Sequence, residues 1–168
     1  MADEKNYITP DGFKKLQDEA HWFVTVERPR ITEIVHQAAL LGDRSENADY
    51  QYGKLRLGEI DGRIQFLNKR IDSAIIVDPS KITTDRIQFG ATVVIEDENG
   101  IGKNYVIVGA DESDASKGHI SWRSPVGRAL LGKEIGDVVS VRTPRGDVEI
   151  EIIEVKYLKV DIEAFNAD

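Results

Sequence analysis

Asp43 and Glu46 stand three residues apart in the run Leu41-Gly42-Asp43-Arg44-Ser45-Glu46-Asn47, with Asp49 a short step further on. Two kinds of chemistry suit that spacing. One is capping: Ser45, Asn47 and the acids can satisfy the free N–H groups and the positive dipole end of a helix that starts here. The other is metal binding. Mg²⁺ prefers about six oxygen ligands and keeps several waters. One turn supplies two carboxylates, too few for a dedicated site. It could still complete a site whose other ligands belong to a partner, where a second ion helps activate an attacking water. Spacing alone leaves both readings open.

The elements on either side must be long helices. Thr9 followed by Pro10 predicts a helix start, with the hydroxyl as N-cap and proline at the first helical position. Phe13, Leu16, Ala20 and Phe23 recur at helical spacing, and Ile31, Ile34, Ala38 and Leu41 continue with a small offset. Pro29 lies near that phase shift, which predicts a local kink or stutter without a break. In the second helix Tyr50, Leu57, Ile64 and Ile71 recur every seven residues, with Gly53, Ile60, Leu67 and Ala74 three places after each. That is the pattern of a coiled-coil seam. Gly58 and Gly62 fall on the outer face, at a cost of roughly 1 kcal/mol each against alanine. The segment between the helices is too short for anything but a tight reversal, so the expected product is an antiparallel hairpin roughly 45 Å long with the acids at its exposed tip.

Beyond residue 78 the period changes. Ala91 to Glu96, Tyr105 to Val108, Val138 to Val141 and Val148 to Val155 read as strands, with turn signals at Asn99-Gly100 and Arg145-Gly146. Ser124-Pro125 opens a short helix through Leu131, and Gly132 suits its C-terminal cap. The expected fold is α+β: a hairpin over residues 1–78, a small antiparallel α+β domain over 79–160, and a flexible polar tail over 161–168. Val77 to Asp85, with Pro79, is the expected junction.

Composition narrows the partners. The chain has 168 residues, no cysteine and a formal net charge of −8. Disulfide and thiolate chemistry are excluded, and a reducing compartment fits. Residues 1–10 lack the basic start and apolar core of a signal peptide, and no apolar run approaches a membrane span, so a cytoplasmic protein is expected. The acid excess is spread over both halves, which disfavours binding to free nucleic acid and points to a protein partner. His21, His36 and His119 are scattered and form no ligand set, and Gly100 and Gly102 open no helix and form no phosphate loop. Arg56, Arg63 and Arg70 do form a stripe beside the seam, with Lys54 and Lys69 nearby. They either pair with acids of the first helix, such as Glu19, Glu27 or Glu33, or face phosphates.

The run from Leu40 to Tyr52 closely resembles the hairpin tip of Gre transcript-cleavage factors, especially the GreB branch. The resemblance extends through Glu27-Arg28-Pro29, Phe89-Gly90-Ala91, Ile107-Val108-Gly109 and Ser124-Pro125 to Leu131. It implies a coiled-coil hairpin followed by an FKBP-like domain that docks at the rim of the RNA polymerase secondary channel. By that likeness Asp43 and Glu46 match the acids that hold a second Mg²⁺ shared with the polymerase, and Ser45 supports them. The polymerase's own site then cuts backtracked nascent RNA, and the factor is not a nuclease by itself. Lys54, Arg56, Arg63 and Arg70 become candidates to face RNA, and Arg123, Ser124 and Pro125 candidates for docking. The chain departs from the GreB pattern at Leu55, Gly58, Gly62 and Gln65, where basic side chains are more usual, and at Arg123, where an acid is usual. Reversing a charge in an interface is costly unless the partner or the docking surface shifts too.

Three rivals accompany this reading. A Gre-like channel occupant could regulate or inhibit the polymerase without stimulating cleavage. The second domain could isomerise prolyl bonds, although fold likeness is a weak warrant for activity and no aromatic-lined pocket is signalled. A coiled-coil scaffold could dimerise, but the short turn favours a monomer with an intramolecular hairpin.

Overall fold

Thr9 caps the first helix as the spacing predicts: its hydroxyl accepts from the Gly12 N–H at 3.2 Å, and Pro10 takes the first helical position. The structure, a computed structural model, describes residues 5–167. Helix α1 (Pro10–Trp22) passes into a π-helical turn (Phe23–Glu27) and then into α2 (Arg28–Ala39). The expected irregularity near Pro29 is that π turn. Proline cannot donate to the carbonyl four residues back, and the wider turn immediately before it adds one residue to the helical repeat. The buried stripe resumes in phase beyond it, through Leu16 and Ala20 before the turn and Ile31 and Ala38 after it.

Helix α3 (Ala48–Ser73) carries the heptad pattern, and Gly53, Ile60 and Leu67 are its buried positions. Tyr50, Leu57, Ile64 and Ile71 are half-buried beside them. The helix stops one residue short of the expected Ala74, which instead begins a strand. Gly53 is required by packing: an added Cβ would lie 2.4 Å from the Val35 side chain of α2. Nothing approaches Gly58 or Gly62.

By contacts the described residues divide into two units. Lys14–Ser73 and the residues from Ala164 onward form the helical one. The other comprises the residues up to Phe13 together with Ala74–Glu163. In this second unit β1 (Asn6–Ile8) pairs in parallel with β2 (Ala74–Ile76). Strands β3 (Thr92–Asp97), β4 (Gly102–Val108), β5 (His119–Ser121), β6 (Val138–Thr143) and β7 (Gly146–Lys156) form one sheet in the order β5-β4-β3-β7-β6. The sheet is not purely antiparallel, as alternation alone suggested, because β4 and β5 run parallel. Strand β5 is too short to carry a periodic signal, so its pairing was invisible in the sequence. Helix α4 (Pro125–Leu130) packs with Ile87, Val93, Ile107, Val139 and Ile152 through Leu130 in a continuous core. Gly132 follows it with a φ of 82°, the left-handed cap expected there.

Glu112 fastens the chain around the α1 start. Its carboxylate accepts from the Thr9 N–H at 2.9 Å, the Thr9 hydroxyl and the Gly109 N–H at 2.8 Å. Burial raises its pKa, and those hydrogen bonds oppose the rise. Among the described residues after Val160 there is no helix or strand, yet the Ile162 N–H donates to Asp11 and Phe165 lies 5.7 Å from the Trp22 ring. Among the described residues no helix is long and apolar enough to cross a membrane.

Candidate functional site

Residues 40 to 46, between α2 and α3, are all exposed. Gly42 turns the chain with a φ of 106°, a conformation that costs glycine little. Arg44–Glu46 then form one 3₁₀ turn with Asp43 as its N-cap. Asp43 Oδ1 accepts from the Ser45 N–H at 3.1 Å and from the Ser45 hydroxyl at 2.8 Å. Ser45 thus orients the Asp43 carboxylate through a single oxygen. The Arg44 guanidinium lies 5.5 Å from the Tyr50 ring, and its carbonyl accepts from the Gln51 side chain at 2.9 Å.

The same aspartate–serine device occurs twice more. Asp78 accepts from Ser80 and Asp114 from Ser116, each through both the N–H and the hydroxyl. Those turns have no chemical assignment, so the local geometry of Asp43 is a turn device first. What distinguishes the tip is that a second exposed carboxylate, Glu46, shares its turn. Among the described residues no group of three or more His, Asp or Glu side chains is arranged to hold a metal ion.

Asn47 closes the tip. Its Nδ2 donates to the Ala38 carbonyl at 2.8 Å, and its Oδ1 accepts from the Tyr50 N–H at 3.2 Å. One amide thereby joins the last turn of α2 to the first turn of α3.

Two residues of the arginine stripe pair with the first helix. Arg56 donates to Glu27 at 2.9 Å, and Arg63 donates to Glu19 through two nitrogens, one of them at 3.1 Å. Glu27 is 5% exposed and also accepts from Arg30 at 2.8 Å. The Arg30 hydrogen bond and then that of Arg56 lower its carboxyl pKa against the opposing effect of burial. Arg56 and Arg63, both candidate RNA-facing cations, therefore engage first-helix acids. Arg70 is half-buried, and Lys54 is exposed.

In the sheet unit Ser124 is the N-cap of α4. Its hydroxyl accepts from the Gly127 N–H at 3.1 Å and donates to the Ser121 carbonyl at 2.7 Å. Pro125 is exposed at the first helical position, and the Arg123 N–H donates to the Ser121 hydroxyl. Ser124-Pro125 is therefore a helix start.

Residues 6–76 match the family described as transcription elongation factor, N-terminal, and residues 82–157 match transcription elongation factor GreA/GreB, C-terminal. The chain belongs to the GreA/GreB family of transcription elongation factors. The transcription elongation factor GreB of Neisseria meningitidis serogroup B is 49% identical over 95% of this chain and 99% of its own length. That of Yersinia pestis is 45% identical over 98% of this chain and 97% of its own. Among solved structures, GreA factor homolog 1 of Thermus thermophilus is similar at 24% identity, covering 90% of this chain and 99% of that one, with a TM-score of 0.43.

Sequence reasoning missed one feature of this Gre-family chain. Tyr7, Val77, Gln88, Phe89, Trp122 and Leu131 line a cavity of about 330 Å³. The Tyr7 ring lies tilted against Phe89 at 5.7 Å and meets Trp122 edge-on at 5.3 Å. The aromatic lining has no local signature, because Tyr7 and Trp122 come from distant stretches of the chain.

Proposed function

We propose that this chain inserts its hairpin into the RNA polymerase secondary channel and stimulates Mg²⁺-dependent cleavage of backtracked nascent RNA, rescuing arrested complexes. The observation that carries the reading is the tip: two carboxylates on one exposed 3₁₀ turn, in a chain of the Gre family. Asp43 commits Oδ1 to Ser45, and its second oxygen has no hydrogen-bond partner among the described residues. Hard carboxylate oxygens, few in number and open to solvent, suit Mg²⁺ that keeps most of its other ligands elsewhere. A Mg²⁺ ion held jointly with the polymerase would supply charge stabilisation and an activated water.

The chain's own residues then have separable tasks. Asp43 and Glu46 present the carboxylates, and Ser45 fixes the orientation of Asp43. Arg56 and Arg63 hold the hairpin together through Glu27 and Glu19. Lys54, exposed near the tip, is the cation best placed to meet RNA phosphates, with Arg70 further along the same helix. Arg123, Ser124 and Pro125 belong to the surface that docks on the polymerase rim. The factor acts as a cytoplasmic monomer and cuts nothing alone.

Arg123 favours a second reading, in which the chain occupies the channel and regulates without stimulating cleavage, since a cation replaces an acid at the docking helix. Stalled, backtracked elongation complexes with Mg²⁺ separate the two. Rapid shortening of the RNA on adding the factor supports cleavage stimulation. Binding without shortening supports the regulator.

A further inference from the structure

Building on the cleavage reading above, we infer that Asn47 is a positioning residue that holds the Asp43–Glu46 turn in register for its metal. Both hydrogen bonds of its side chain are needed for that. Through Oδ1 it caps α3 at the Tyr50 N–H, and through Nδ2 it reaches the Ala38 carbonyl, nine residues back at the end of α2. Ala38 is buried, and Asn47 is the first side chain after α2 that is not exposed. The segment between them contains both acids, so this amide closes the loop that carries them.

The residue type fits that double task. Capping alone is served equally well by serine or aspartate. A short amide carries its donor and its acceptor on two separate atoms, so one side chain can cap α3 and still reach the Ala38 carbonyl. Aspartate lacks the donor and would set a charge against the Ala38 carbonyl. Serine is too short to span from the cap to α2. The backbone adds little cross-linking of its own: Asn47 N–H meets the Arg44 carbonyl at 3.4 Å, and Gln51 braces that same carbonyl. Leu41 and Gly42 donate only to the Ala38 and Ala39 carbonyls just before them, so without the amide bridge the Asp43–Glu46 turn stays attached to a capped α3 and loses the side-chain hydrogen bond that joins it across to α2. Catalytic geometry is sensitive to such a loss, since a displacement of about 1 Å can cost on the order of a hundredfold in rate.

The test is Asn47→Ser in the full chain, with Asn47→Asp as the second capping variant and Asp43→Asn beside them. Helix content, thermal midpoint, polymerase binding by competition, and cleavage rate at saturating factor across a Mg²⁺ titration are measured. Asn47→Ser is expected to keep helix content and binding, to lose about tenfold or more in maximal cleavage rate, and to need more Mg²⁺ for half its maximum. Asn47→Asp should likewise keep the cap and lose rate. Parental rates for both capping variants across the titration, with Asp43→Asn inactive, would overturn the inference alone. A fall in rate matched by an equal loss of folding or binding would make Asn47 a structural cap and would also overturn it. If Asp43→Asn cleaves like the parent, the underlying cleavage reading fails instead.

Discussion

Arg56 reaches from α3 to Glu27 on the facing helix, its Nη2 donating to Oε2 at 2.9 Å, while Arg30 holds the other oxygen of the same carboxylate. Glu27 is therefore a buried charge in an otherwise apolar seam, and it is acceptable there because two guanidiniums pair with it. It occupies the last residue of the π turn.

Stability of the hairpin should depend on the ionisation of Glu27. Its folded pKa lies below the ordinary value of 4.5, chiefly through the Arg30 hydrogen bond. A depressed carboxyl contributes stability that is present above the unfolded pKa and is lost as pH falls through the folded one. Glu27→Gln should therefore be less stable than the parent at pH 7, and the gap should narrow below about pH 4. Urea unfolding of both proteins from pH 3 to pH 7 measures it. A gap independent of pH would show that the charge of Glu27 does not matter.

Arg63 and Glu19 should behave as an exposed interhelical pair. Arg63→Glu should destabilise the hairpin, and the swapped double variant Glu19→Arg with Arg63→Glu should regain roughly 0.3–1 kcal/mol of coupling. If Arg63 serves the hairpin rather than RNA, the swapped protein should also recover cleavage stimulation. Recovery of stability without recovery of cleavage would return Arg63 to RNA contact.

The helical glycines should divide by packing. Gly58→Ala and Gly62→Ala meet open space and should each stabilise by roughly 0.5–1 kcal/mol, about 1–4 °C in a chain of this size. Gly53→Ala should lower the melting temperature instead. Its Cβ would lie 2.4 Å from a valine methyl whose χ1 is restricted in a helix. A stabilising Gly53→Ala would show that α2 and α3 can move apart there at little cost.

Much of this architecture could be read from residue order, and the reasons are local. The seam residues Gly53, Ile60 and Leu67 announce themselves by period, Thr9-Pro10 and Ser124-Pro125 by capping chemistry, and Gly132 by its place after a helix. Pairings between distant stretches have no such mark. Strand β1 with β2, β4 with β5, Glu112 with Thr9, and Tyr7 with Trp122 each join segments whose proximity is set by the fold. The arginine stripe shows the intermediate case. Its position was legible, but the choice between Glu19, Glu27 and a phosphate depended on how the π turn rotates the first helix.

The tip acids remain the centre of the account, and Asp43→Asn tests them cleanly. Asparagine caps a helical turn as well as aspartate and can still accept from Ser45, so the fold of the turn survives while the carboxylate charge is lost. Glu46→Gln removes the second charge in the same way. The measurement is the rate of RNA shortening in backtracked elongation complexes with Mg²⁺, taken with parent and variants at concentrations that saturate polymerase binding. Both variants should compete for the polymerase as the parent does, and stimulated cleavage should be abolished. Parental cleavage by Asp43→Asn would contradict this and would leave these acids as turn caps.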